Sequence, residues 1–127
     1  MMTDRRFVPH FSVTTIDGQT GRYADVWQRK NLLLVLVPTA ESPDREAYLS
    51  KLRARTSELT AHDTSCVITS DDVVGVRAPA IVIADRWGEI AFIAETESIA
   101  RLPAVEAIID WLRHVQSRCP ECEGEAR

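Results

Sequence analysis

Residues 32–46 of the chain read LLLVLVPTAESPDRE, an apolar run that passes directly into residues typical of a helix start. The run over residues 32–37 has no polar alternation, which is typical of a central strand covered on both faces. Ser42 then provides a favourable N-cap, and Pro43 is a favourable first helical residue. The stretch therefore predicts a buried strand followed by a helix over residues 43–61.

The predicted helix has one buried face. Positions suited to this face recur at intervals of three and four residues, the spacing of one side of a helix. They are Tyr48, Leu49, Leu52, Thr56 and Leu59. The remaining positions carry mainly charged and small polar side chains, so we expect the helix to pack one side against a sheet and to leave the other in water.

The other segments predict short strands and a second helix. An Asp-Gly pair at residues 17–18 indicates the turn of a β-hairpin. Residues 65–69, 80–84 and 89–93 are predicted strands, and a short turn between the last two favours antiparallel pairing. Helical spacing returns from Leu102. This order predicts an α/β fold with a central mixed sheet, helices on both faces and an N-terminal β-hairpin.

Length and composition limit the classes of function. A chain of 127 residues, 45% hydrophobic and 27% charged, is typical of one globular domain. We predict a single domain over residues 1–127, with residues 117–127 as a short tail. A net charge of −4 argues against nucleic acid as a partner. Without a signal peptide or an apolar run of about 20 residues, the sequence predicts a cytoplasmic protein with no membrane partner; it predicts no cofactor.

Three segments carry a family pattern. Residues 9–20 read PHFSVTTIDGQT, residues 31–38 form the predicted central strand, and residues 78–88 read APAIVIADRWG. In this order they resemble the thioredoxin-like superfamily and, within it, the peroxiredoxin and TlpA-like redoxin branch. The resemblance implies a thioredoxin-like sandwich over nearly the whole chain. It also implies that Pro79 is the cis-proline beside the helix start; the alternative is a trans proline that begins an edge strand.

The chain departs from this family at the helix start. In the Cys-x-x-Cys alignments, the two thiols are replaced either by Glu41 and Asp44 or by Ser42 and Arg45. In the peroxiredoxin alignment, Arg45 stands where the peroxidatic cysteine belongs. No alignment places a cysteine here, so the standard site is degenerate and the chain is not a conventional peroxiredoxin.

Cys119 and Cys122 form a Cys-x-x-Cys pair near the end of the chain. Such a pair can exchange a disulfide with a partner, or it can bind zinc with His114 or with the same pair of a second chain. A third interpretation is a solvated tail with two inert thiols. Cys66 lies in a predicted strand and is predicted to be a small buried hydrophobe.

Candidate binding residues surround the helix start: Ser42, Arg45, Arg77 and Pro79. Arg45, together with free backbone N–H groups and Arg77, could bind a small anion or a carboxylate. The alternative for Arg45 is a helix-surface arginine paired with a neighbouring carboxylate. The sequence thus predicts either thiol–disulfide exchange through the terminal cysteines or a binding module for a protein or peptide, as a monomer or homodimer. A zinc site shared between two tails is a further alternative.

The three tryptophans have separate predictions. Trp27 and Trp111 are predicted to lie in the core. Trp87 falls in the turn between two predicted strands, where we expect it to fold over its own sheet edge, with a partner contact as the alternative.

Overall fold

The computed structural model describes residues 7–73 and 75–118, apart from the side chain of Arg118. The elements, in chain order, are strands β1 (Ser12–Thr14) and β2 (Thr20–Arg22), a 3-10 turn (Tyr23–Asp25), strand β3 (Asn31–Leu36), helices α1 (Pro43–Arg53) and α2 (Thr56–Ala61), strands β4 (Thr64–Thr69), β5 (Ala80–Ala84) and β6 (Ile90–Glu95), a second 3-10 turn (Ile99–Arg101) and helix α3 (Val105–Arg118). In this part of the chain, no helix is both long and apolar enough to cross a membrane.

Strands β1 and β2 form the predicted N-terminal hairpin. The backbone N–H of Thr15 donates to the carbonyl of Gln19 at 2.7 Å, and that of Gly18 donates to the carbonyl of Thr15 at 2.9 Å. Gly18 has φ +84°, a conformation that glycine adopts without a steric penalty. The Asp-Gly pair therefore sits in the turn, as predicted.

The central sheet has four strands in the order β4-β3-β5-β6. Strand β3 pairs parallel with β4 and antiparallel with β5, and β6 pairs antiparallel with β5. At the end of β3, Leu36 lies between Thr69 of β4 and Ala80 of β5. This mixed sheet confirms the predicted fold class. Its register also brings the carboxyl ends of β3 and β4 and the amino end of β5 together at one end of the sheet.

The two faces of the sheet are covered differently. Residues Leu33 and Val35 of β3 pack in a cluster that includes apolar residues of α1, α2 and α3. Leu34, on the opposite face, belongs to a second cluster with residues of the hairpin, the first 3-10 turn and the 73–76 segment. The sequence predicts helices on both faces, but the two faces are covered unequally. Three α-helices pack on one face. On the other face, the first 3-10 turn contributes Tyr23.

The single helix predicted over residues 43–61 is two helices. Arg55 has φ −110° and ψ +20°, which interrupts the helix. The Thr56 hydroxyl donates to the carbonyl of Arg53 at 2.8 Å, an example of how threonine competes with helical hydrogen bonding. As a result, Thr56 is exposed, contrary to the prediction, while Leu59 is buried after the helix restarts.

The tryptophans are less buried than core residues would be. Trp27 is not in the core, because 37% of it is exposed. Trp87 is 40% exposed, although its backbone carbonyl accepts a hydrogen bond from the Trp27 indole. Trp111 is half-buried and packs on Phe92 with ring centroids 5.0 Å apart.

Candidate functional site

The predicted binding residues belong to segments that meet at one end of the sheet, where β3 ends and β5 begins. The loop after β3 leads into α1, and the segment before β5 carries Arg77 and Pro79. Because Leu36 pairs with Ala80, these two segments start from adjacent positions. The end of β4 joins them, since the Ser70 hydroxyl lies 3.4 Å from the carbonyl oxygen of Pro38 and donates to it. We refer to the surface formed by residues 38–42, 70–72 and 77–79, where the resemblance implies the substrate groove, as the cleft.

Ser42 and Pro43 build the start of α1 as predicted. The hydroxyl oxygen of Ser42 accepts a hydrogen bond from the backbone N–H of Arg45 at 3.1 Å, and Pro43 is the first helical residue. The cap hydrogen bond occupies the backbone N–H group of Arg45, which could otherwise donate to an anion. The helix start is therefore partly closed by the chain itself.

Arg45 turns inward and is 8% exposed. Its Nη1 atom donates to the carbonyl oxygens of Pro38 at 3.1 Å and of Thr39 at 2.7 Å. Its Nε atom lies 3.4 Å from a carboxylate oxygen of Glu46. The prediction of a surface arginine is wrong about its location, although the ion pair with a neighbouring carboxylate is present. The guanidinium fixes the loop after β3 to α1.

Pro79 and Arg77 lie on the opposite side of the cleft. The peptide bond between Ala78 and Pro79 is cis, which confirms the prediction from the resemblance. The backbone N–H of Arg77 donates to a carboxylate oxygen of Glu95 at 2.7 Å, and the carbonyl of Pro79 accepts from Thr96 at 3.0 Å. The guanidinium of Arg45 is engaged by the carbonyls of Pro38 and Thr39, on its own side of the cleft. The structure thus brings Ser42 and Arg45 together, but it does not assemble the two arginines into one anion site.

Cys66 is the cysteine that falls within the described residues, and it is unsuited to thiol chemistry. Its side chain is partly exposed and packs against the core cluster that the helices cover. Burial raises the pKa of Cys66 to about 12, although the charge of Arg53 acts in the opposite direction. Since the thiolate is the nucleophile, this thiol is inert at neutral pH. The predicted apolar packing of Cys66 is present, but the residue is only partly buried.

The predicted catalytic pair, Cys119 and Cys122, lies outside the described residues. Among the residues described, no group of three or more His, Cys, Asp or Glu side chains could hold a metal ion. His114, the third predicted zinc ligand, is exposed on α3 with its ring centroid 5.7 Å from that of Trp111. Near the end of α3, the amide oxygen of Gln116 accepts a hydrogen bond from Asn31, the first residue of β3. This described end of α3 is therefore at the end of the sheet opposite to the cleft.

A groove of about 560 Å³ that the sequence does not predict lies beside α1. The second 3-10 turn and the start of α3 form its other wall, and Tyr48 contributes to its lining. The Tyr48 hydroxyl donates to the carbonyl of Pro103 at 2.6 Å, and burial raises its pKa. Small residues on both walls, Ala47, Ala54, Ala100 and Ala104, are the sequence feature that makes room for the groove. At one end the groove reaches Asp44 in the first turn of α1, one of the positions where a Cys-x-x-Cys alignment has a thiol.

No family model matches the sequence, and no curated protein matches it either. Solved structures do match. A reduced 2-Cys peroxiredoxin from Plasmodium vivax is 13% identical with a TM-score of 0.69, and the match covers 87% of this chain and 80% of that chain. Peroxidoxin BcpB from Mycobacterium tuberculosis is 14% identical with a TM-score of 0.65, with coverage of 85% and 94%. A thiol:disulfide interchange protein of the thioredoxin family from Chlorobium tepidum is 10% identical with a TM-score of 0.62, with coverage of 91% and 99%.

These likenesses, together with the strand order β4-β3-β5-β6 and the cis peptide bond before Pro79, identify the architecture. The chain has the thioredoxin-like fold, in the arrangement seen in peroxiredoxins and thioredoxin-family proteins.

Proposed function

We propose that this chain is a thioredoxin-fold binding protein that performs no thiol chemistry at the start of α1. In this proposal, the cleft holds an extended peptide segment of a protein partner. The observation that carries the proposal is the inward position of Arg45, whose guanidinium binds the carbonyls of Pro38 and Thr39 where the peroxiredoxin alignment has its cysteine.

The absence of a nucleophile supports the non-catalytic part of the proposal. A thiolate at a helix start owes its low pKa to free N–H groups and the helix dipole. Here the first turn carries Arg45 instead, and Ser42 caps the N–H group that would otherwise point outward. Cys66, with its raised pKa, offers no substitute thiolate.

The backbone before β5 supports binding of an extended segment. Within the described residues, the N–H and C=O groups of Ala78 have no hydrogen-bond partner. Free backbone groups beside a sheet can pair with an incoming strand, which is how several domains hold peptides. We infer that Ala78 forms the backbone contacts, while the rim of the cleft selects the side chains of the partner.

The charges on the rim favour a basic partner. Glu41, Asp44 and Asp72 are exposed, and in the described part of the chain none of them forms an ion pair. Arg77 is the exposed cation of the cleft. An excess of negative charge attracts cationic segments and repels acidic ones, mainly through the rate of association.

The test is peptide titration followed by NMR chemical-shift mapping. Two panels of labelled ten-residue peptides, one rich in Lys and Arg and one rich in Glu, are titrated into the full chain. We expect the basic panel to bind, with shifts confined to residues 39–42 and 77–80. Glu41→Lys should weaken this binding, whereas the matched variant Glu97→Lys should not. Equal binding of both panels, or shifts elsewhere on the molecule, would overturn the proposal.

Thiol–disulfide exchange through Cys119 and Cys122 remains a prediction from the sequence, as do the shared zinc site and the homodimer. Peptide binding at Ala78, as proposed, uses backbone groups and needs no cysteine. The variant Cys119→Ser/Cys122→Ser should therefore bind the basic peptides as the wild type does. Loss of binding in this variant would favour the exchange reaction over the binding module.

A further inference from the structure

An exposed aromatic surface lies at the end of the molecule opposite to the cleft. We call it the aromatic end, and it consists of Phe7, His10, Trp27 and Trp87. Phe7 is 47% exposed, and the two indoles are 37% and 40% exposed. Large apolar side chains that lie together at the surface often mark an interaction site.

Specific contacts make this surface continuous. The indole N–H of Trp27 donates to the backbone carbonyl of Trp87 at 3.3 Å. The ring of His10 lies edge-on to Trp27, with centroids 5.0 Å apart. Phe7 forms a β-bridge with Glu89, directly after the turn that carries Trp87. The turn before β3 and the turn after β5 thus present their aromatic side chains on one tip of the fold.

Two cations that form no ion pair within the described residues flank the aromatic end. Arg29 and Lys30 are exposed in the turn after Trp27, and in the described part of the chain neither forms an ion pair. The sequence also places two arginines directly before Phe7.

The carboxylates of this region are already engaged. Asp63 pairs with Arg86 at 3.2 Å, and Asp25 pairs with Arg22 at 3.6 Å. Asp85 is buried and accepts hydrogen bonds from the backbone of its own turn. Within the described residues, Arg29 and Lys30 are therefore the cations available to meet an acidic surface, although the whole chain carries a net charge of −4.

We propose that the aromatic end binds the surface of a membrane that contains anionic phospholipids. Tryptophan is suited to the boundary between headgroups and acyl chains, and neighbouring Lys and Arg side chains add attraction to anionic lipids. The indole N–H of Trp27 is already hydrogen-bonded, so the ring can enter an apolar layer without leaving that donor unpaired.

Other occupants fit less well. A second copy of the chain, related by a two-fold axis, would bring Arg29 and Lys30 close to the same cations of its partner. The surface is formed by the tips of two turns, which favours a broad layer over an extended peptide that needs free strand edges. The proposal departs from the predicted absence of a membrane partner, which rested on the lack of a signal peptide and a spanning segment.

Vesicle binding tests the proposal with the full chain. The probes are vesicles of phosphatidylcholine alone and vesicles in which about a third of the lipid is phosphatidylglycerol, a load that makes the surface anionic. We expect sedimentation with the anionic vesicles, a blue shift of tryptophan emission and quenching by brominated acyl chains. Arg29→Ser and Lys30→Ser should each lower the partition coefficient about fivefold. Trp87→Ser should lower both binding and quenching.

Matched variants separate this surface from general charge and from misfolding. Lys51→Ser/Arg101→Ser removes two exposed cations elsewhere and should leave binding unchanged. Trp111→Phe should keep the quenching, because the indoles of the aromatic end remain. Failure to bind anionic vesicles, a loss of binding in Lys51→Ser/Arg101→Ser equal to that in Arg29→Ser/Lys30→Ser, or saturable binding of poly-glutamate without vesicle binding would each overturn the proposal. None of these results bears on peptide binding in the cleft.

Discussion

The Nη1 atom of Arg45 lies 2.7 Å from the carbonyl oxygen of Thr39, six residues earlier in the chain. The same atom donates to the carbonyl of Pro38, so one guanidinium satisfies two acceptors of the loop between β3 and α1. In the peroxiredoxin alignment this position belongs to a cysteine, which could not make these bonds. An arginine at this position supplies no thiol, and its guanidinium fixes the loop before α1.

Replacing Arg45 should destabilise the fold more than replacing an exposed arginine of the same helix. Arg45→Met leaves the carbonyls of Pro38 and Thr39 without their donor, and we expect a loss of about 2–3 kcal/mol in the free energy of unfolding. Urea denaturation measures the change. Arg53→Met is the matched control, because Arg53 is exposed and its pair with Asp17 is 3.6 Å long. That control should cost less than about 1 kcal/mol, and equal losses would refute a special role for Arg45.

Two buried tyrosines should respond in opposite ways to loss of the hydroxyl group. The Tyr48 hydroxyl donates to the carbonyl of Pro103, so Tyr48→Phe should cost about 1–2 kcal/mol of stability. The Tyr23 hydroxyl is buried and has no hydrogen-bond partner in the described part of the chain. Tyr23→Phe removes a polar atom that burial penalises, so we expect no loss or a small gain. Urea denaturation of the two variants side by side decides this, and a large loss for Tyr23→Phe would contradict it.

The raised pKa of Cys66 should make stability fall at alkaline pH. In the folded chain the thiol keeps its proton up to about pH 12, whereas in the unfolded chain it ionises near its ordinary value of 9.0. Above that value the folded state binds more protons, so the free energy of unfolding decreases as pH rises, by up to about 1.4 kcal/mol per pH unit. Below pH 9 the thiol is protonated in both the folded and the unfolded state, so the ionisation of Cys66 does not lower the free energy of unfolding.

The measurement is urea denaturation at several values between pH 8 and 10, below and up to the ordinary pKa of tyrosine. Cys66→Ala should lose less stability over this range than the wild type, because the alanine variant has no buried thiol to ionise on unfolding. The two terminal cysteines are present in both proteins, so the effect of their ionisation on stability cancels in the comparison. If the free energies of unfolding of the wild type and Cys66→Ala fall equally with pH, Cys66 has the same pKa in the folded and unfolded chain, which would contradict the prediction.

The backbone pattern of this chain could be predicted from sequence because single residues specify it. Ser42 and Pro43 define the start of α1, and the unbroken apolar run before them can only be buried on both faces. The break at Arg55 could not be predicted in the same way. It depends on side-chain hydrogen bonds that compete locally with the helix, whereas the apolar spacing continues through it to Leu59.

The candidate site was harder to predict than the fold. Position in the sequence brings Arg45 to the helix start, but the direction of its side chain depends on two carbonyls of a loop whose path is set by tertiary packing. Trp27 follows the apolar Val26, yet its ring is exposed and its indole N–H donates to the carbonyl of Trp87 in a turn 60 residues further along the chain. Such pairwise relationships between distant segments leave no periodic pattern in the sequence.

Thiol titration with mass spectrometry should distinguish the terminal cysteines from Cys66. If Cys119 and Cys122 exchange disulfides, mild oxidation should remove two hydrogens from this pair reversibly, at a potential near the cytosolic poise, and leave Cys66 reduced. If the tails share a zinc ion between two chains, the purified protein should retain half a zinc atom per chain, and a chelator should shift its mass in solution towards the monomer. The control is Cys119→Ser/Cys122→Ser, in which Cys66 should react with thiol reagents only after denaturation because burial keeps it protonated. Terminal thiols that stay inert to oxidation and zinc would leave the cleft at Ala78 as the functional part of this fold.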